Sequence, residues 1–329
     1  MMEYTKLGST ELKVSRICLG TVFRSEMDEG SCIATIHEAQ AQGCNYLDCA
    51  NVYRNGLSEQ IVGKAIKGRR DQFVVSTKVG AEPTTGGAAG KGGLGRESIT
   101  NAIEDSLQRL DTDYVDTYLC HFPDPGTPIE ETLGAMEKLV QQGKIRYPGC
   151  SNFESWRLCE ALNACRGDGL ASFVCNQVPY SLLDRQVEYE TIPYCMRRSV
   201  SVTVFATTLI GLLSGRYRFG KAPPEGTSWH RGPYNYRAAM TLHTDGVIAA
   251  VIDVAKARGK TPTQVAMSWC LANPGVTSVI IGADTVERVR ENWGAVGWQL
   301  TEEELDLLNK VSEGHCLKVR KDCPDGWQD

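Results

Sequence analysis

Residues 99–121 read ITNAIEDSLQRLDTDYVDTYLCH, and residues 129–149 follow as IEETLGAMEKLVQQGKIRYPG. Ile99, Ile103, Leu107 and Leu110 recur at the spacing of one helix face, and so do Ile129, Leu133, Met136 and Leu139. Each stripe is followed by a short strand-like run, centred on Asp116 and on Arg146. Amphipathic helices alternating with short β runs signal βα units around a parallel sheet, because a parallel neighbour can be reached only by a crossover. Outward in both directions, further strand-like runs centre on Ile17, Tyr46, Val74, Val174, Val202 and Val279. Most are roughly 30 residues apart, the length of one strand and its returning helix. Eight such runs without a linker between halves predict an α/β fold of the closed (β/α)8 TIM barrel type in place of a doubly wound open sheet. One domain over residues 1–329 is expected. Past the eighth unit, Thr301 and Glu304 have the capping-box pattern, and Leu305, Leu308 and Val311 continue it as an appended C-terminal helix. Three segments break the rhythm, residues 80–95, 217–244 and the tail 312–329. Loops of that length in a compact fold are functional or disordered.

Composition narrows the function. The 329 residues carry 35 Lys and Arg against 40 Asp and Glu, a net charge of −5 with no long basic run. Binding to nucleic acid or to an anionic membrane begins with neutralising phosphate, so neither partner is expected. No stretch approaches the ~18–20 apolar residues of a membrane span, and Met1 to Lys6 do not form a basic region leading into an apolar run. A cytoplasmic location is expected. The 13 cysteines are odd in number and include no Cys-x-x-Cys pair or zinc-ligand spacing, so they read as reduced, mostly buried thiols.

Several motifs fall away on context. Gly90, Gly92 and Gly95 have the spacing of a dinucleotide-binding glycine motif, but the nearest strand ends near Lys78 and the surroundings are low-complexity Gly, Ala and Thr. Lys91 is followed by glycine, so the hydroxyl of a P-loop is missing. His37, His121, His230, His243 and His315 form no His-Glu-x-x-His pair, and no serine sits in Gly-x-Ser-x-Gly. Among the histidines only His121 stands at the end of an expected strand.

In a (β/α)8 barrel the reacting groups come from the C-terminal ends of the strands. There the chain places Asp48 and, five residues on, Tyr53 after the second strand, Lys78 at the end of the third, and His121 at the end of the fourth. Any one of them alone reads as structural; four ionisable groups at matching strand ends read as a site. A tyrosine of ordinary pKa near 10 is a weak acid or base at neutral pH unless a cation such as Lys78 favours its phenolate. Lys78 in turn needs Asp48 to hold it. A histidine beside the tyrosine donates to a carbonyl oxygen and stabilises the charge that builds as hydride reaches carbon. The chemistry implied is carbonyl reduction or its reverse.

These residues lie in motifs that resemble the aldo-keto reductase superfamily over nearly the whole chain, from about Leu7 to Leu308. Leu7-Gly8-Ser9-Thr10, Val14-Ser15 and Leu19-Gly20-Thr21 look like that family's N-terminal hairpin and first strand. Asn45 to Ala50 leading to Tyr53, with Gly56 and Ser58-Glu59, resembles its first signature. Ser76-Thr77-Lys78, Leu119-Cys120-His121 with Pro123-Asp124, and Gly143 to Arg146 with Gly149 to Phe153 match in order. The resemblance implies a barrel closed at its bottom by an N-terminal hairpin, and a catalytic tetrad of Asp48, Tyr53, Lys78 and His121 with Tyr53 as general acid. It implies a nicotinamide cofactor bound in extended form without a Rossmann fold. Gly20, Thr21, Val22 and Asp48 would then lie against the cofactor, with Ser151, Asn152 and Gln177 at its carboxamide and Phe205, Ala206 and Thr208 by the ring. Gly211, Ser214 and Arg216 would meet its pyrophosphate, and Gly282, Asp284, Arg288, Glu291 and Asn292 its adenosine end. The substrate would meet Tyr53, His121 and loop residues Phe23, Arg24, Phe122 and Trp229, the last in an aromatic segment with Tyr234 and Tyr236.

Three departures qualify what the resemblance implies. Phe205-Ala206-Thr207-Thr208 stands where the family commonly has Tyr-Ser-Pro-Leu, which reshapes the phosphate contact. Pro148 lies inside the fifth strand, where a missing ladder donor predicts a bulge. Asp284 stands near the position where NADP-preferring members carry Ser, Lys or Arg; a carboxylate there repels a 2′-phosphate and accepts from a ribose 2′-hydroxyl. Asp284 therefore argues for NAD(H) and Arg288 for NADP(H); with the family's usual preference, NADP(H) is favoured and NAD(H) stays open. The expected function is reversible hydride transfer between NAD(P)H and a small aldehyde, ketone or sugar-like alcohol. The alternatives are a cofactor-sensing regulatory subunit of the potassium-channel β type, and a Schiff-base barrel using Lys78 as an amine.

Overall fold

The two helical stripes bury as their spacing requires. In the computed structural model, which describes residues 1–23, 27–81, 93–232 and 234–316, Ile99, Ile103, Leu107 and Leu110 all face inward, as do Leu133, Met136 and Leu139. The chain opens with a two-stranded antiparallel hairpin, β1 (Tyr4–Lys6) and β2 (Lys13–Ser15). Eight parallel strands follow: β3 (Ile17–Gly20), β4 (Tyr46–Asp48), β5 (Val74–Val79), β6 (Val115–Cys120), β7 (Ile145–Ser151), β8 (Cys175–Pro179), β9 (Ser201–Phe205) and β10 (Val276–Gly282). They close into a barrel in the order β10-β3-β4-β5-β6-β7-β8-β9. The helices are α1 (Glu29–Ala41), α2 (Leu57–Ile66), α3 (Arg96–Leu110), α4 (Ile129–Gln141), α5 (Ser155–Asp168), α6 (Thr191–Arg198), two single turns α7 (Ser228–Arg231) and α8 (Tyr236–Ala239), α9 (Leu242–Arg258), α10 (Pro262–Ala272), α11 (Val286–Trp293) and α12 (Glu302–Val311). The fold is the expected (β/α)8 barrel, with the hairpin in front and α12 appended.

β5 and β6 are buried on both faces along their whole length, the condition of a parallel sheet jacketed by helices. Inside the barrel Cys18, Tyr46, Val74, Leu119, Val174, Cys175 and Ile280 pack together, and Leu7 and Val14 of the hairpin plug that cluster from the N-terminal end. Gly8 makes the plug possible: at φ 59° it passes so close to β8 that a Cβ would stand 2.3 Å from the Val174 carbonyl oxygen. Its N–H donates to Ser201 Oγ at 2.6 Å.

The expected bulge at Pro148 is absent. Tyr118 pairs with Pro148 and Leu119 with Gly149 in unbroken register. The Pro148 carbonyl accepts from Val174 N at 3.0 Å, so the donor that proline lacks faces the chain just before β8 begins, where no ladder bond is due. A register shift occurs instead between Val276 and Ser278, where β10 meets β9. The long interval before β10 holds two full helices. The second, α10, starts at a capping box of Thr261 and Gln264 with Pro262 in the first turn.

Of the three arrhythmic segments, residues 82–92 and 317–329 lie outside the described residues, and with them Gly90, Lys91 and Gly92. Gly95 is simply the N-cap of α3. The start of the tail folds back, with Cys316 bridging to Asp184. All twelve cysteines among the described residues are free thiols, and all but Cys159 and Cys316 are buried, as expected.

Candidate active site

Each tetrad candidate reaches the C-terminal rim for a local reason. Asp48 is the last residue of β4, Lys78 the last but one of β5, and His121 follows β6 directly. Tyr53 opens a short 3-10 turn whose next three residues, Arg54, Asn55 and Gly56, all adopt left-handed backbone at φ 50°, 55° and 88°. That reversal sends the chain into α2 and leaves Tyr53 facing the rim; Asn and Gly are the residue types that adopt it at least cost.

The side chains then converge. Lys78 Nζ lies 2.7 Å from Asp48 Oδ1 and donates to Asp48 Oδ2 at 2.8 Å, to the Cys49 carbonyl at 2.7 Å and to Tyr53 Oη at 3.2 Å. The His121 ring meets the Tyr53 ring edge to face at 5.9 Å and stacks on Phe122 at 4.8 Å. Lys78 is fully buried and Asp48 nearly so. Burial pushes the Lys78 ammonium down, but the Asp48 charge and Tyr53 outweigh it, and the net effect is to raise its pKa. Lys78 is thus a fixed positive charge against a phenol oxygen. Glu59 supports the site from behind, accepting from Thr77 Oγ1 at 2.5 Å and Arg109 Nε at 2.7 Å.

The residues assigned to a cofactor divide into those near the tetrad and those further out. Ser151 ends β7, and its Oγ donates to the Gln177 carbonyl at 2.9 Å. Asn152, at φ 61°, donates its amide to the His121 carbonyl at 2.9 Å and to Ser151 Oγ at 3.0 Å. Gln177 Nε2 donates to Asp48 Oδ1 at 2.8 Å. Phe205 ends β9 half-buried, followed by Ala206 at φ 55° and a buried Thr208. Gly20 pairs with both Asp48 and Gly282, so β10 delivers its end beside the same rim. Further round, Arg216 Nε donates to Ser214 Oγ at 3.2 Å beyond the left-handed Gly211. On α11, Arg288 and Glu291 are exposed while Asn292 is buried, and Asp284 is half-exposed before the helix. The Thr21 hydroxyl turns inside, donating to the Asp48 carbonyl at 2.9 Å and lying 2.9 Å from Ser58 Oγ, while its N–H donates to the same Asp48 carbonyl and its own carbonyl accepts from Ser58 Oγ at 2.5 Å. Val22 beside it is exposed.

Among the substrate candidates, Phe23 is buried at φ 38°, and Arg24 lies outside the described residues. Trp229 is 3% exposed, donates its indole N–H to the Ile210 carbonyl at 3.1 Å and packs against Tyr234 and Tyr236. Sequence reasoning passed over Thr207, whose buried Oγ1 has no partner among the described residues. Its signal was the Phe205-Ala206-Thr207-Thr208 departure, which moves a hydroxyl by one position.

A nicotinamide cofactor suits this donor set. Amides, hydroxyls and one aromatic flank the tetrad, an unfilled buried hydroxyl lies in the loop after β9, and a Ser–Arg pair stands beyond it. No cluster of three or more metal-ligating side chains occurs among the described residues, and no helix among them is long and apolar enough to cross a membrane.

Comparison with known proteins places these features. The aldo/keto reductase family model matches residues 16–313. An uncharacterised oxidoreductase of Bacillus subtilis, YrpG, is 36% identical over 324 residues, 95% of this chain and 97% of the relative. A probable voltage-gated potassium channel subunit beta of Arabidopsis thaliana is 34% identical over 306 residues, 90% of this chain and 91% of the relative. Among solved structures, an aldo-keto reductase of Bacillus halodurans in its holo form superposes with a TM-score of 0.78 at 32% identity, covering 99% of this chain and 100% of that one.

Proposed function

This chain belongs to the aldo/keto reductase family, and from that premise we propose that it catalyses reversible hydride transfer between NAD(P)H and a small aldehyde, ketone or sugar-like alcohol, with Tyr53 as general acid and base. The observation that carries the proposal is the shared ammonium of Lys78, within 2.7 Å of Asp48 and 3.2 Å of Tyr53. A buried cation lowers the cost of leaving negative charge on Tyr53 Oη after its proton has gone to the substrate oxygen, and Asp48 keeps that cation charged in the absence of water. His121, beside Tyr53, supplies a donor to the same oxygen. When bound, the nicotinamide supplies the hydride. Ser151, Asn152 and Gln177 would hold its carboxamide, Phe205 its ring, Ser214 and Arg216 its pyrophosphate, and Arg288 or Asp284 its adenosine ribose.

Fluorescence titration with NADPH and NADH, followed by oxidation of the tighter one against a panel of aldehydes, ketones and sugars, tests the reading. Binding with turnover supports it, and NADPH is expected to bind more tightly through Arg288. Tight binding without turnover on a broad panel would shift weight to the sensor reading, which the likeness to a plant channel β subunit favours. Schiff-base chemistry is disfavoured because it needs a neutral amine, and the three N–H donors of Lys78 are engaged by Asp48, Cys49 and Tyr53.

A further inference from the structure

Asp48 and Gln177 stand on opposite walls of the barrel. In the closed order of eight strands β4 and β8 are four apart, yet the Gln177 amide spans the bore and donates to Asp48 Oδ1 at 2.8 Å. Asp48, Lys78 and Gln177 are each no more than 3% exposed, so water does not substitute for this bond. An ionised carboxylate only accepts, which settles the amide's orientation: its nitrogen faces Asp48 and its oxygen faces away. Gln177 is anchored for the purpose, since its carbonyl accepts from Ser151 Oγ at 2.9 Å and from Asn152 N at 2.8 Å.

We infer that Gln177 is a positioning residue for proton transfer, a cross-barrel strut that fixes the plane of the Asp48 carboxylate so that Lys78 stays on Tyr53. The inference rests on the reductase reading and adds to it. The terminal torsion of an aspartate is broad and roughly two-fold. Lys78 alone, touching both oxygens from the neighbouring strand, leaves that torsion room; a second donor from the far wall removes it. Swinging of the carboxylate would draw the ammonium away from the phenol, whose contact is the longest of the three that Lys78 makes to side chains or carbonyls. A carboxamide-binding role alone predicts weaker cofactor binding on loss of the amide. The strut predicts slower turnover at saturating cofactor.

The test compares Gln177→Leu, the isosteric Gln177→Glu and the unaltered protein by kcat at saturating cofactor from pH 5 to 9, with cofactor Kd by fluorescence. Gln177→Leu should lower kcat about tenfold at every pH, the effect of one lost hydrogen bond to a charged group. Gln177→Glu should lose more at alkaline pH, where a second carboxylate competes for Lys78, and recover as pH falls. Once protonated, the introduced carboxyl again donates to Asp48, and like-charge repulsion places its titration above the ordinary carboxylate range. A merely structural contact would not produce that pH-dependent recovery, and the isosteric variant keeps the test in force should Gln177→Leu not fold. A kcat for Gln177→Glu that parallels the unaltered protein at all pH, with only Kd changed, overturns the strut. Failure of the unaltered protein itself to turn over overturns the reductase reading and the strut's catalytic role with it, a separately recognisable result.

Discussion

Lys78 and Tyr53 touch, but removing each should leave a different signature. Lys78 is the buried counter-charge of Asp48, so Lys78→Met leaves a buried carboxylate without its counter-charge. Breaking such a pair costs on the order of 3–5 kcal/mol, and denaturant unfolding should report that loss together with lost turnover. Tyr53 is half-exposed and supplies the proton, so Tyr53→Phe should cut kcat by at least about a hundredfold while cofactor affinity stays nearly unchanged and unfolding free energy falls less than in Lys78→Met. Equal losses of affinity and turnover would argue against Tyr53 as the acid. Asp284 adds a third test: Asp284→Ser should move the NADPH to NADH ratio of Kd values toward NADPH, and an unmoved ratio would mean the carboxylate does not face the ribose. Asp48, Lys78 and His121 were legible because each stands at a strand end, where the period of the chain announces it, and Tyr53 follows five residues after the first of them. The Gln177–Asp48 bond was not, since 129 residues separate the partners and only closure of the ring brings β8 opposite β4. The inward turn of the Thr21 hydroxyl to Ser58, a partner 37 residues on, was hidden for a related reason.

At the scale of the element, packing inside the barrel settles what pattern alone leaves open. Pro148 argued for a bulge, and the strand absorbs it because the missing donor falls where β8 has not yet begun. The residue after it carries the tighter constraint. A Cβ on Gly149 would lie 2.4 Å from Leu119 Cδ2 and 2.7 Å from Cys175 Sγ, two side chains that fill the bore beneath the site. Gly149→Ala should therefore overpack the interior and destabilise by about 1–3 kcal/mol, read from the urea midpoint at unchanged m-value. An unaltered midpoint would show that the interior has slack. The stripe of α3, by contrast, was readable in full, since four apolar residues on one face leave a helix a single way to lie on a sheet. The α10 capping box at Thr261 and Gln264 is the same kind of start signal as the Thr301 and Glu304 pair of α12.

Over the whole molecule, the stretch from α12 to His315 is tied back to the loop after β8, where periodicity offers no guidance. Arg185 N donates to the His315 carbonyl at 3.1 Å, and the Arg185 side chain donates to the Asn309 carbonyl at 2.8 Å, joining that loop to α12. The His315 ring is buried against His243 with centroids 4.2 Å apart, and His243 Nε2 lies 2.9 Å from the Val311 carbonyl. Burial, with the nearby His243 adding to it, lowers the His315 imidazole pKa from 6.5 to about 4. The folded state therefore keeps His315 neutral where the unfolded chain protonates it. The stabilisation is complete above the unfolded pKa of 6.5 and is lost progressively as pH falls from there toward 4. Between pH 7 and pH 5 the protein should lose roughly 1–2 kcal/mol that His315→Gln does not lose, after allowance for partial solvation of the ring. Urea unfolding of both proteins at the two pH values measures the difference, and parallel losses would mean that His315 protonates without leaving its place.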